Sequence, residues 1–174
     1  SDLHFFINLE VENKILIFLI FCSVLILNFS NYLFSGDNGS YSLSFLVGYF
    51  LIKIYNFDYN ISPYFIILLL WYPCFENLFS IFRKKLTKRD PLSPDNNHLH
   101  HYLFLILKSK LKISKLNANN LASILINSIN FFILYVGSNN INNTILQFQL
   151  IVLASIFYVF IYFFLRRITL KTLM

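Results

Sequence analysis

TILQFQLIVLASIFYVFIYFFL, residues 144–165, decides the fold, because 22 residues pass without one Asp, Glu, Lys or Arg. A helix needs about 20 apolar residues to cross a bilayer core of about 30 Å, with a lower limit near 17. This run meets that length comfortably. Working outward, four more apolar blocks follow the same logic: Ile15–Phe34, Ser40–Tyr55, Tyr64–Phe82 and Leu121–Val136. The second and fourth of the five stand near the lower limit, where local bilayer thinning or shielding by neighbouring helices makes up the difference. Composition agrees: 57% of residues are hydrophobic, 19% aromatic and only 13% charged, against about 25% charged in a soluble domain. The sequence therefore predicts an all-α polytopic membrane bundle of about five spans, with residues 1–174 forming one membrane domain. Cys22 and Cys74 both lie inside apolar blocks, so a disulfide framework is not expected. There is no internal repeat.

Charge sets the orientation. If Ser35–Gly39 and the Arg83–His101 loop lie inside, then 12 of the 14 Lys and Arg residues collect on that side, leaving Lys14 and Lys53 toward the other. The positive-inside rule makes that side the cytoplasm. The formal charge of +6 comes from residues at span ends, which points to lipid headgroups and anionic substrates rather than nucleic acid. Asn56–Ser62 and Gly137–Asn143 read as short outer connections. Within a cytoplasmic segment 83–116, His101–Leu116 alternates apolar residues with lysines. That suits an amphipathic helix at the inner interface, the alternative being a plain linker.

Two polar constellations interrupt this apolar chain. Ser93-Pro94-Asp95-Asn96-Asn97-His98-Leu99-His100-His101 carries three of the four histidines, just after Arg83, Lys84, Lys85, Lys88 and Arg89. Imidazoles gathered with cations beside a membrane suit phosphate groups. A helix start capped by Ser93 or Asp95 explains the polar residues but not three histidines. Zinc would need further ligands, and no Cys lies nearby. On a helix, His98 and His101 would share a face and His100 would point elsewhere. The second constellation, Phe34-Ser35-Gly36-Asp37-Asn38-Gly39-Ser40, reads as a turn between two spans. Gly36 and Gly39 allow close approach, Ser40 can cap the next helix, and Asp37 is a carboxylate near membrane depth. A hard cation such as Mg²⁺ takes one or two carboxylates together with substrate phosphate oxygens, and Asp37 can supply one. An ordinary Asp-Asn-Gly turn is the plain alternative.

A Phe-x-Gly-Asp-x-Gly-Ser turn followed, two spans later, by Ser-Pro-Asp-x-x-His-Leu-His-His resembles the polyprenyl-phosphate N-acetylhexosamine-1-phosphate transferases of the glycosyltransferase 4 family. Within it, the histidine motif looks like the undecaprenyl-phosphate GlcNAc-1-phosphate transferase branch. The likeness covers about Ile15–Leu107. It implies transfer of a sugar-1-phosphate, with GlcNAc-1-phosphate the default, from a UDP-sugar to undecaprenyl phosphate with release of UMP. That would be the first membrane step of a cell-envelope glycan pathway, in a bacterial inner membrane with the active-site loops cytoplasmic. By position, Asp37 matches the family's metal-associated aspartate, expected to work with Mg²⁺ or Mn²⁺. His98, His100 and His101 match the motif expected at the diphosphate or nucleotide, and are taken with Asp37 as catalytic. Gly36, Gly39, Ser40, Arg83, Lys84, Lys88, Arg89 and Asp95 are the corresponding substrate-binding candidates.

Departures from the pattern carry further expectations. Ser44 stands where the family often has Gly, and Pro73-Cys74-Phe75-Glu76 replaces Pro-x-Phe-Asp. Glu76 is expected to pair with a cation such as a loop Arg or Lys, a catalytic role being the alternative. The family's adjacent Asp-Asp pair and Asn-x-x-Asn-x-x-Asp-Gly motif do not occur, and Ser1 stands shortly before a span. The resemblance thus implies the C-terminal half of a longer enzyme, inactive alone. A reading of a different class is a non-enzymatic membrane protein, a transporter half or assembly scaffold, with a basic lipid-binding loop. A transporter would gather its polar residues near the midplane, whereas here they collect at one face.

Overall fold

The computed structural model describes residues 19, 22–24, 26–28, 30, 32, 36–57, 60–88, 90, 93 and 97–173, with the backbone alone at 36–38, 40, 42, 43, 46, 57, 172 and 173. Among these residues the secondary structure is helical and no strand occurs. The chain divides into two units, residues 1–59 and 60–174, each described in its own frame.

In the first unit, residues 22–24 and 26–28 are helical, and the rest of the expected Ile15–Phe34 span lies largely outside the described residues. Helix α1 runs Gly36–Phe57, 22 residues. The Gly-Asp-Asn-Gly-Ser stretch is therefore not a connecting turn but the opening of this helix. Residues that weaken a helix interior are tolerated there, because the first turn's N–H groups have no intrahelical partner and an early acidic residue suits the positive end of the helix dipole.

The second unit contains α2 (Pro63–Leu69), α3 (Trp71–Leu86), α4 (Leu99–Leu111), α5 (Lys115–Ser138) and α6 (Thr144–Leu173). Among the described residues, α5 and α6 are long and apolar enough to cross a membrane, and α2 with α3 adds a third crossing if the pair is one span. The expected Tyr64–Phe82 span is instead two helices bent by 73°. Pro73 explains the break, since it lacks the N–H that would bond the Leu69 carbonyl and its ring crowds that carbonyl. At the other end of α2, the Ser62 hydroxyl accepts the Tyr64 N–H at 3.3 Å, with Pro63 as the first helical residue.

The last two helices outrun their apolar blocks. Ser114 caps α5 by accepting the Asn117 N–H at 3.2 Å, so the helix begins six residues before the expected Leu121. Helix α6 continues past Leu165 through Arg166 and Arg167. Hydropathy marks only the part of a helix that suits lipid, while the backbone hydrogen bonds continue through polar residues. Only 17% and 22% of the apolar windows of α5 and α6 are buried within the protein. Their remaining faces need an apolar surrounding, which a bilayer provides.

The core joins Leu68 and Trp71 to Leu99 and Tyr102 of α4 and to Ala154, Tyr158 and Tyr162 of α6. Helix α3 meets α6 through rings: Phe75 lies edge-on to Tyr158 at 5.2 Å, and Phe79 edge-on to Tyr162 at 4.8 Å. Trp71 Nε1 donates to Ser155 Oγ at 3.0 Å. At the opposite end, buried Gln147 closes the turn between α5 and α6, its Nε2 donating to the carbonyls of Gly137 and Asn140 at 2.8 Å each.

Candidate functional site

The site is assembled where α3, the segment leading into α4, and α6 meet. On α3, Tyr72, Glu76, Ser80 and Arg83 recur at three- and four-residue steps and so share one helix face. Helix α4 begins at Leu99, and it buries Leu99, Tyr102 and Ile106 along a single stripe. This helix packs on α5 and α6, so it is an integral part of the second unit rather than a loose surface segment. It ends at Leu111, with Lys112 in the left-handed region at φ 50°.

His98 is the residue before α4, with extended backbone at φ −83° and ψ 155°. The expected helical spacing therefore does not apply to it. It is His98 and His100, not His98 and His101, that come together: their rings stack at 5.4 Å with 13° between planes. His100 and His101 rings lie 5.0 Å apart. Glu76 ties the first two rings to α3. One of its oxygens, Oε1, stands 3.5 Å from Nδ1 of His98 and 3.5 Å from Nδ1 of His100, and accepts the Leu99 N–H at 3.2 Å. The carboxylate expected to pair with a loop Arg or Lys thus pairs with the histidines and caps α4. Its side chain is only 12% exposed, while His100 is 52% exposed, so the cluster has a largely covered anchor and an open outer edge.

Arg83 is committed to the protein. Its Nη1 donates to the Asn97 carbonyl at 2.6 Å and to the Tyr162 hydroxyl at 2.8 Å, and Nη2 donates to Ser80 Oγ at 3.3 Å. The guanidinium also stands over the Tyr162 ring at 5.3 Å. Lys84 Nζ donates to the Ser93 carbonyl at 2.6 Å. Both cations fasten the segment that carries the histidines, and Tyr102 adds a bond from its hydroxyl to Asn97 Oδ1 at 3.0 Å. Lys88 is exposed, with φ 54°. Arg89 and Asp95 lie outside the described residues, as do the side chains of Asp37 and Ser40, while Gly36 and Gly39 fall in the opening of α1.

Burial holds the His98 imidazole below its usual range; the Glu76 carboxylate opposes that, while His100, Arg83 and Lys84 add to it. His101 is lowered too, by burial and by the two neighbouring imidazoles. At neutral pH these two rings are therefore uncharged, able to offer one N–H donor and one acceptor nitrogen each.

Among the described residues, no group of three or more His, Cys, Asp or Glu side chains is arranged to hold a metal ion. The three imidazoles are in any case poor ligands for Mg²⁺, which prefers oxygen; a carboxylate such as that of Asp37 fits it by donor chemistry. Sequence reasoning missed Tyr162, Tyr102 and Asn97, which position Arg83 and the histidines. The repeat of Tyr72, Glu76 and Arg83 along one face of α3 was the available signal.

Comparison with protein-family models, with curated proteins and with solved structures found no match to this chain.

Proposed function

We propose that the chain belongs to an integral-membrane transferase that moves a sugar-1-phosphate, GlcNAc-1-phosphate by default, from a UDP-sugar to a polyprenyl phosphate and releases UMP. The observation that carries this reading is the pair of motifs, Gly36-Asp37-Asn38-Gly39-Ser40 and Ser93-Pro94-Asp95-Asn96-Asn97-His98-Leu99-His100-His101. Supporting it, three imidazoles stand together at an open edge beside Arg83 and Lys84, next to helices with apolar outer faces. A lipid phosphate remains at headgroup level while a nucleotide arrives from water, so a site for both has to sit at that boundary. Phosphoryl transfer asks mainly for positioning and for neutralisation of charge. In this reading the bundle is multi-pass in a bacterial inner membrane, with five spans and the histidine segment facing the cytoplasm. Asp37 would hold Mg²⁺ or Mn²⁺, which would supply charge neutralisation at the phosphates when bound.

The test is UMP release from UDP-GlcNAc in membranes containing the protein, with any natural flanking sequence retained, plus undecaprenyl phosphate and Mg²⁺. Release that depends on all three additions is the expected result. Activity unchanged by Asp37→Asn would remove the metal assignment. No release with any UDP-N-acetylhexosamine would favour the non-enzymatic reading, a scaffold with a basic lipid-binding loop. One observation favours that reading: Arg83 and Lys84 both donate to protein oxygens.

A further inference from the structure

Glu76 is the least expected member of the cluster, and its geometry says more than that it is paired. A neutral imidazole has one N–H and one bare nitrogen, and the partner of one nitrogen decides the state of the other. A carboxylate oxygen only accepts, so a ring nitrogen that faces it is the protonated one. Nδ1 of both His98 and His100 faces the same Glu76 oxygen, and the same oxygen takes the Leu99 N–H. The backbone bond fixes the carboxylate, the stacking of the two rings fixes their planes, and Arg83 fixes the Asn97 carbonyl immediately before His98. His101 lies next to His100 in the same helix and has no such contact with Glu76 among the described interactions.

We propose that Glu76 is a positioning residue: it holds His98 and His100 as Nδ1–H tautomers and leaves Nε2 of each as a proton acceptor for a phosphate monoester. This rests on the transferase reading for the identity of the substrate, but not for the tautomers. A phosphate monoester has its second pKa near 6, so near neutrality part of it still carries one P–O–H group. The step balances simply. The O–H bond of the acceptor phosphate breaks, its proton bonds to Nε2, and the freed oxygen attacks the β-phosphorus of the UDP-sugar. That P–O bond forms as the bond to UMP breaks, and UMP leaves with the bonding electron pair. The proton on the imidazolium passes to UMP, itself then a phosphate monoester, or to water. Glu76 stabilises the imidazolium between these events without touching substrate. His100 is the better placed of the two, being the more exposed.

The experiment is ¹⁵N imidazole NMR of the histidine-labelled protein in micelles at pH 7.5, with each histidine assigned by substitution. Expected are Nδ1–H signatures for His98 and His100, reverting to Nε2–H in Glu76→Ala while His101 is unchanged. Nε2–H signatures for His98 and His100 in the unaltered protein would overturn the proposal whatever the variants do. Glu76→Gln guards against misfolding of the alanine variant: its amide oxygen still accepts, so the tautomers persist, but the charge is gone. Of the charged groups around His98, the Glu76 carboxylate is the one that favours its imidazolium. The acid limb of the UMP-release profile should therefore move to lower pH in Glu76→Gln, with kcat reduced and KM little changed. A KM effect alone, with an unmoved profile, would overturn the proton-acceptor role. Correct tautomers in a protein that releases no UMP would support the positioning by Glu76 and remove the transferase reading instead.

Discussion

Replacing Arg83 by Met and Tyr162 by Phe, separately and together, tests whether the strap that holds the histidine segment has the energetic weight its geometry implies. Arg83 Nη1 makes two short bonds, 2.6 Å to the Asn97 carbonyl and 2.8 Å to the Tyr162 hydroxyl. Hydrogen bonds to a charged group contribute about 1.5–3 kcal/mol each, so the lower figure gives about 3 kcal/mol for the two. The guanidinium over the Tyr162 ring adds about 0.5–1 kcal/mol. Against this, releasing a long ordered side chain returns about 1.5 kcal/mol of rotamer entropy. Arg83→Met should therefore lower stability by about 2 kcal/mol. Tyr162 is fully buried, and Tyr162→Phe removes only its hydroxyl. The coupling between the two substitutions should be about 1.5 kcal/mol, the share of the single bond between them. Unfolding by SDS titration in mixed micelles, followed by far-ultraviolet circular dichroism, measures all four corners of the cycle. Additivity within about 0.5 kcal/mol would refute the strap.

Other perturbations probe separate parts of the molecule. A methyl group on Gly137 would meet Leu68 Cδ2 at 2.6 Å and Gln147 Oε1 at 3.1 Å. Leu68 is buried and cannot swing away, so Gly137→Ala should destabilise by about 1–2 kcal/mol, and Leu68→Val should recover part of that in the same titration. Trp71→Phe loses the bond to Ser155 and should cost about 1 kcal/mol. For pH, the folded-state pKa values of His98 and His101 are lowered, so the stability they contribute is complete above the unfolded value near 6.5 and is lost as pH falls through the lower folded values. His101→Gln should therefore make stability less steep between pH 7 and 5; an unchanged slope would show that His101 stays accessible to protons in the fold. In the transferase assay, Asp37→Asn and His100→Ala should each depress UMP release at least tenfold, while Lys85→Ala, an exposed change away from the cluster, should not.

Residues 144–165 by themselves determined the fold class, since an uncharged run of that length has its lowest free energy as a lipid-facing helix wherever it sits in the chain. The clustering of cations and imidazoles near residues 83–101 was equally legible, because it is a matter of spacing along one strand of sequence. Helix ends were less so: α5 and α6 continue beyond their apolar blocks, and Pro73 breaks the third block at Leu70, where hydropathy alone reads straight through. What only tertiary structure decided is which side chains meet. Glu76 is 22 positions before His98, and Arg83 is 79 positions before Tyr162. Such pairs form because ring packing between α3 and α6, together with the buried stripe of α4, brings three helices within hydrogen-bond reach. Local propensity carries no information about that distance, and burial of the shared aromatic core does.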